Sequence, residues 1–251
     1  MSDQTPADEP GAAFGGVRLA EKAYSTGAPS GLLERLSPAD RERVSRHGGL
    51  RSFERGATLL AQGAPHDGIM IIETGLVRSF YTAPTGREIT LAYWSPGNFI
   101  GGPEIFGGGT HIWSAVAAKR STVTVLPGRG LRALAREVPD LALAIIDALV
   151  FKAKCYASLA QMLGTRSLTE RLGQLLTHLA ATYGLPPEAD GSVTVAAAFT
   201  HAEIANLIGG TRQWVTISLN RLQTEGVLTQ RKGLLVIRKP DRLTTFGLDA
   251  G

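Results

Sequence analysis

The chain has 251 residues, of which 43% are hydrophobic and 19% are charged, with 26 Lys and Arg against 22 Asp and Glu. This composition is typical of a globular protein that buries a sizeable core in one or two domains. No run of about 18 apolar residues occurs, and the acidic, polar N-terminus lacks the features of a signal peptide, so we expect no membrane span and a cytoplasmic location. The single cysteine, Cys155, excludes internal disulfides and any four-cysteine metal or iron–sulfur site within one chain.

Residues 1–30 are rich in Gly, Ala, Pro and Ser and predict a mobile N-terminal arm. A short helix is expected at 37–48, where Ser37 is suited to cap the first turn and Pro38 to begin it. Residues 51–127 then alternate short apolar runs with glycine, with a turn at 83–87. This pattern favours a small antiparallel barrel or jelly roll.

Residues 138–164 predict one long helix that carries a heptad pattern. Spacings of 4, 3, 4, 3, 4 and 3 relate the apolar or aromatic residues Ala142, Ile146, Leu149, Ala153, Tyr156, Ala160 and Leu163. Such spacing is typical of a coiled-coil contact with a partner helix. The alternative is that the helix packs on its own barrel, and the opposite flank is apolar enough for the helix to do both.

Two further helices follow a predicted helix at 167–184, which begins with a Ser167–Glu170 capping box. Thr200 and Glu203 form a second capping box, so a helix should begin near His201. Gly209 and Gly210 end this helix and allow a sharp turn. Thr211 is then suited to cap a last helix that buries one face through Val215, Leu219 and Leu222.

Two helices joined by a tight glycine turn predict a helix-turn-helix, whose second helix reads base edges in the major groove. Arg212 and Gln213 stand where such contacts are made, and these side chains pair with guanine and adenine. The remaining candidate DNA contacts are Thr200, Thr211, Trp214, Thr216, Asn220, Arg221 and Lys232. Lys232 belongs to a predicted basic strand–turn–strand wing. The alternative is a purely structural helix pair.

The stretch FTHAEIANLIGGTRQWVTISLNRLQTEGVL resembles the DNA-binding end of the cyclic-AMP receptor / fumarate–nitrate regulator (Crp-Fnr) family. Upstream landmarks extend the resemblance to about residues 31–245: Phe53, Gly56, Gln62–Gly63, Gly75, Val77–Arg78, Gly86–Glu88, Gly97–Gly101 and Arg171. The resemblance implies an α+β chain with a cyclic-nucleotide-binding-like β-roll (31–137), a dimerisation helix (138–165) and a winged helix-turn-helix (166–251). It also implies a cytoplasmic bacterial homodimer that binds double-stranded DNA at two-fold sites and contacts RNA polymerase.

The sequence departs from the family's nucleotide-binding pattern. Gly101–Gly102 stands where Gly-Glu is expected, and Ile112–Trp113 stands where Arg-Ser is expected, so the counter-charge for a cyclic phosphate is missing. The candidate effector pocket is Gly101, Gly102, Glu104, His111, Trp113 and, across the dimer, Tyr156, and it is suited to a flat or apolar ligand. The alternatives are a rebuilt nucleotide pocket, haem on His111 or His66, and a regulator that binds DNA without any effector. The cofactor is unknown.

An enzyme is the rival interpretation, because β-rolls also host metal dioxygenases. Such enzymes need clustered histidines and a carboxylate, and the five histidines of this chain are dispersed. No phosphate-binding glycine loop with lysine and no Gly-x-Ser-x-Gly motif occurs. We therefore predict a non-enzymatic DNA-binding protein without a metal site.

Overall fold

The structure is a computed structural model that describes residues 31–244 and 246. These residues form two compact units, which divide between residues 164 and 165. The expected N-terminal arm, residues 1–30, lies outside the described residues. Within the described range, no helix combines the length and apolarity that crossing a membrane requires.

The first unit has eight strands and three helices among its described residues. Its elements are α1 (Pro38–His47), β1 (Gly49–Phe53), β2 (Thr58–Leu60), β3 (Ile69–Thr74), β4 (Val77–Thr82), β5 (Glu88–Trp94), β6 (Phe99–Ile100), β7 (Ser114–Ala117), β8 (Ser121–Leu126), α2 (Gly128–Glu137) and α3 (Pro139–Thr165). The predicted first helix and long helix are confirmed to within a residue or two.

The strands form two antiparallel four-stranded sheets, in the orders β1-β8-β3-β6 and β2-β7-β4-β5. Strand β3 contributes apolar side chains to two separate core clusters, one on each face of its sheet. Successive side chains of a strand point to opposite faces. Ile69 and Ile71 face a cluster with α1, α2 and the start of α3, whereas Ile72 faces a second cluster between the two sheets. The predicted β-roll is therefore confirmed, with its core on both faces of one sheet.

Helix α3 packs against both clusters. Leu141, Ala144 and Ile145 are buried in the first cluster, and Phe151 and Tyr156 pack against the second. The helix therefore closes one side of the roll over several turns.

The second unit contains α4 (Leu168–Tyr183), β9 (Val193–Thr194), α5 (His201–Ile208), α6 (Arg212–Thr224), β10 (Leu228–Arg231), β11 (Leu234–Ile237) and α7 (Pro240–Thr244). Both predicted capping boxes are confirmed, Ser167–Glu170 on α4 and Thr200–Glu203 on α5. Gly209 ends α5 with φ 69° and ψ 30°, a left-handed conformation that glycine adopts without strain. The sharp turn into α6 follows from this residue.

The wing is a hairpin of β10 and β11, in which Arg231 pairs with Leu234. The two turn residues have positive φ, 50° at Lys232 and 79° at Gly233. Positive φ at both central residues is typical of the type I′ turn, whose twist matches that of the flanking strands. Strand β9 pairs with the other edge of β11 and completes a three-stranded sheet.

Candidate nucleic-acid interface and ligand site

Helix α6 divides its side chains sharply between a buried and an exposed face. Val215, Leu219 and Leu222 are at most 1% exposed. The exposed face consists of Arg212, Gln213, Ile217, Asn220, Arg221 and Thr224. The first turn of this face holds the two predicted base-reading side chains, Arg212 and Gln213. Ile217 lies on the same face and was not among the predicted contacts.

The threonines near these helices already have structural partners. Thr200 Oγ1 and Thr211 Oγ1 accept hydrogen bonds from the backbone N–H groups of Glu203 (3.2 Å) and Trp214 (3.1 Å). Thr216 Oγ1 donates to the Arg212 carbonyl at 2.9 Å and lies 2.8 Å from His201 Nδ1. Because the hydroxyl's one proton goes to the carbonyl, the histidine ring N–H donates to the hydroxyl and links α5 to α6.

Trp214, which the sequence placed among the DNA contacts, is half-buried. Arg221 forms an exposed ion pair with Glu225 at 2.7 Å, and Arg231 of the wing forms another with Glu188 at 3.1 Å. Exposed pairs of this kind contribute little stability but orient the arginines. Lys232 is exposed at the tip of the wing.

Arg171 of α4 holds the end of α5 in place. Its Nη1 donates to the Ile208 carbonyl at 3.1 Å and its Nε donates to the Arg166 carbonyl at 3.0 Å. The last carbonyls of a helix lack intrahelical partners, so this contact satisfies one of them immediately before the glycine turn. The sequence pointed to Arg171 only as a landmark of the resemblance, because its partner lies 37 residues away.

Helix α3 exposes an apolar stripe with heptad spacing. Leu143, Ile146 and Val150 are 60%, 54% and 48% exposed. Four exposed small residues continue the stripe: Ala153, Ala157, Ala160 and Gly164. We call these seven residues the α3 stripe.

The predicted dimer seam overlaps the α3 stripe only in part. The shared residues are Ile146, Ala153 and Ala160. The other four, Ala142, Leu149, Tyr156 and Leu163, are half-buried. Leu149 packs against the first core cluster and Tyr156 against the second. At each of the four positions that differ, the exposed residue is the one that follows the predicted residue in the sequence.

A cavity of about 480 Å³, open to solvent, lies between the roll and the second half of α3. It is lined by Tyr81, Leu91, Ile112, Trp113, Tyr156, Leu159, Ala160 and Leu163. Trp113 and Tyr156 face each other with ring centroids 5.5 Å apart, and both belong to the same chain. Two residues of the predicted pocket therefore meet within a single chain.

The other predicted pocket residues, Gly101, Gly102, Glu104 and His111, do not line this cavity. His111 instead packs on His66 with ring centroids 4.3 Å apart, and both side chains are buried. His66 Nε2 accepts a hydrogen bond from the Gly102 N–H at 2.6 Å, whereas His111 Nδ1 has no partner among the described residues. Burial lowers the pKa of both rings, and His66 lowers that of His111 further.

Side chains from both sheets form the second core cluster, and residues of α3 pack against it. Trp94 is 3% exposed and its Nε1–H donates to Ser79 Oγ at 3.1 Å. Lys152 of α3 is buried with its Nζ 3.3 Å from the Trp94 ring centroid and 4.8 Å from that of Phe99. Burial lowers the pKa of Lys152 to about 7. No group of three or more potential metal-ligating side chains occurs in the described ranges.

Comparisons with known proteins match both units. Residues 50–138 match the family model of the cyclic nucleotide-binding domain, and residues 170–246 match that of the Crp-like helix-turn-helix domain. Together the two matches cover more than half of the chain.

Relatives match over most of their length. A probable transcriptional activator from Rhizobium leguminosarum bv. viciae is 28% identical over 193 residues, 77% of this chain and 78% of that protein. The CRP-like cAMP-activated global transcriptional regulator of Mycobacterium tuberculosis H37Rv is 25% identical over 217 residues, 86% of this chain and 96% of that protein. A structure of the c-di-GMP responsive global regulator of Xanthomonas campestris shares the fold, with a TM-score of 0.70, 20% identity and coverage of 80% of this chain and 99% of that chain.

The buried His66–His111 pair predicts that the roll loses stability in mild acid. Both pKa values are lowered in the folded state, so the unfolded chain takes up protons first. The contribution of the two neutral histidines to the free energy of unfolding is therefore complete above about pH 6.5. It declines as the pH falls toward the pKa values of the folded state. Glu104 and Asp67 oppose the shift of His66 but do not reverse it. We expect the urea midpoint of the roll to fall between about pH 7.5 and about pH 5.5.

The His111→Leu variant should flatten this pH dependence, because it removes one titrating ring and its unpartnered nitrogen. The exposed His47 offers a matched control, and His47→Gln should keep the wild-type slope. An unchanged slope in His111→Leu, measured by tryptophan fluorescence during urea unfolding, would contradict the assignment.

Proposed function

Because the chain belongs to the Crp-Fnr family of transcription regulators, we propose that it is a homodimer that binds DNA sequence-specifically under the control of an effector other than a cyclic nucleotide. One observation carries the proposal. The first turn of α6 presents Arg212 and Gln213 to solvent on a helix whose opposite face is buried. A basic wing in the same unit supplies Lys232.

The chemistry of these side chains separates the proposed DNA contacts into base contacts and phosphate contacts. Arginine donates two hydrogen bonds to guanine O6 and N7, and glutamine pairs with adenine through two bonds. Arg212 and Gln213 are therefore the proposed base readers. Asn220, Arg221 and Lys232 are suited to phosphates, which position the protein without specifying a sequence.

Substitution of Arg212 by alanine should relax specificity at one base position. We expect a loss of about 1–3 kcal/mol on the preferred sequence and little loss where the guanine is replaced. Lys232→Ala is the matched control, because loss of a phosphate contact weakens binding to all sequences alike and lowers the salt dependence by about one ion. Both are measured by fluorescence anisotropy on a selected site and its single-base variants. Uniform weakening by Arg212→Ala would instead indicate binding without sequence preference.

The α3 stripe supports the proposed dimer. Three large apolar side chains, Leu143, Ile146 and Val150, are each about half exposed or more in the single chain. A contiguous apolar stripe with 3,4 spacing is stable in water when a second helix covers it. Small residues at Ala153, Ala157 and Ala160 allow two helix backbones to approach closely at the other end.

The Val150→Glu variant should dissociate the dimer into folded monomers, because it places a charge on the α3 stripe and not in the core. Leu149→Glu, at the neighbouring seam position, should instead destabilise the roll, since Leu149 packs against the first core cluster. Sedimentation velocity reports the oligomeric state, and thermal unfolding reports the fold. Dissociation by Leu149→Glu without loss of stability would favour the seam predicted from sequence.

The cavity next to Trp113 and Tyr156 is the proposed effector site. Its volume of about 480 Å³ lies in the usual range for small-molecule sites. Among the described residues that line it, the ionisable groups are the Tyr81 and Tyr156 phenols, and burial raises the pKa of Tyr156 so that it stays protonated. An uncharged, flat or apolar molecule fits these walls better than an anion.

Two features oppose a cyclic nucleotide in the usual arrangement. Gly102 has a φ of 108°, a conformation in which a glutamate side chain is strained, and Ile112 lies where the phosphate-binding arginine is expected. The named relatives respond to different nucleotides, cAMP in one and c-di-GMP in another, so effector identity varies within the family.

A neutral apolar dye, N-phenyl-1-naphthylamine, should bind the full-length protein, and millimolar cyclic AMP should not displace it. Ile112→Trp should abolish dye binding, because a larger side chain at the rim fills the cavity. The control Leu185→Trp changes an exposed leucine of the other unit and should leave dye binding unchanged. Displacement of the dye by cyclic AMP, or dye binding that survives Ile112→Trp, would count against this site.

A further inference from the structure

The exposed face of α6 contains one large apolar side chain. Ile217 is 60% exposed, whereas the apolar residues of the buried face are at most 1% exposed. Ile217 is therefore not part of the core. It lies between Gln213 and Asn220 on the face that the proposed function directs toward DNA.

The position of Ile217 on the helix matches that of a base contact. It follows Gln213 by four residues, which places the two side chains within about 40° of each other around the helix axis. Along the axis it lies about 7.5 Å beyond Arg212, roughly two base-pair steps of DNA. Its neighbour Thr216 forms hydrogen bonds with the Arg212 carbonyl and with His201. Because its hydroxyl is already engaged, Ile217 is the better candidate for a base contact at this turn of the helix.

The chemistry of the major groove narrows what Ile217 contacts. An isoleucine side chain cannot donate to a phosphate or to a base edge. The C5-methyl group of thymine is the apolar group that base pairs display in the major groove. Contact between these two groups removes both from water and is lost when the base is cytosine.

We propose that Ile217 contacts the C5-methyl group of one thymine in each half-site and sets a preference for thymine over cytosine there. The inference rests on the proposed function and adds to it a specificity-determining residue. It also predicts which base-pair feature is read, a methyl group and not a hydrogen-bonding edge.

The experiment separates the methyl group from every other feature of the base. Sites are first selected from a random duplex library with the full-length protein. Each thymine of the selected half-site is then replaced singly by uracil, which differs from thymine only by the absent methyl group. Affinity for each duplex is measured for the wild-type protein, for Ile217→Ala and for the control Leu185→Ala, which removes a 50% exposed leucine in the same unit.

We expect one thymine per half-site at which uracil weakens wild-type binding about threefold to tenfold. The Ile217→Ala protein should bind the thymine and uracil duplexes equally well, so the two changes are not additive. Leu185→Ala should behave as the wild type. At the same position, 5-methylcytosine should recover part of the binding that cytosine loses. The thermal midpoint of Ile217→Ala should equal that of the wild type, because the side chain is exposed.

Three outcomes overturn the inference, and they are distinguishable. A selected motif in which no thymine is sensitive to uracil, or in which the sensitivity persists in Ile217→Ala, overturns the role of Ile217 and leaves the proposed function intact. Failure to select any motif overturns sequence-specific binding, and the inference with it.

Discussion

The first unit depends on the long helix α3, which carries more apolar surface than the β-roll covers. Leu141 and Ile145 are buried on one flank, while Ile146 and Val150 are about half exposed on another. A helix that is apolar on more than one side is stable in water only when each side is covered. The residues that close the roll and the exposed apolar residues that the proposed partner would cover therefore belong to the same helix.

Tyr156 contacts both the second core cluster of the roll and the cavity beside it. Its ring centroid lies 6.3 Å from that of Trp94 and 5.5 Å from that of Trp113. Because burial raises the pKa of its phenol, the group stays neutral, and the boundary between interior and cavity carries no charge from Tyr156 at physiological pH. Lys152 lies on the interior side, over the Trp94 ring, and not in the cavity wall. A ligand in the cavity would therefore contact aromatic and aliphatic side chains, and not the Lys152 ammonium group.

The sequence predicted the second unit better than the first because its signals are local. A capping box joins residues three positions apart, and Gly209 ends a helix through its own backbone conformation. The register of the α3 stripe could not be predicted in this way, because two heptad patterns coexist on the helix and only packing against the roll selects the exposed one. The contact between His66 and His111 joins residues 45 positions apart through the pairing of two loops. Ile217 was missed for a different reason, since an apolar residue on a helix suggests a core position until its exposure is known.

Regulation by the proposed effector requires that the ligand favour one arrangement of the dimer over another, because a ligand that binds both equally shifts nothing. Ala160 provides the needed connection, since it lines the cavity and also belongs to the α3 stripe. In the proposed dimer, its methyl group would contact the ligand and the adjacent helix backbone would contact the partner. A side chain this small transmits little by itself, but it would let the two helices of the proposed dimer approach closely where the cavity opens. A ligand that presses on this turn of α3 would thus change the distance at which the proposed partner helix packs, so the same turn of α3 would link occupancy of the cavity to the geometry of the dimer.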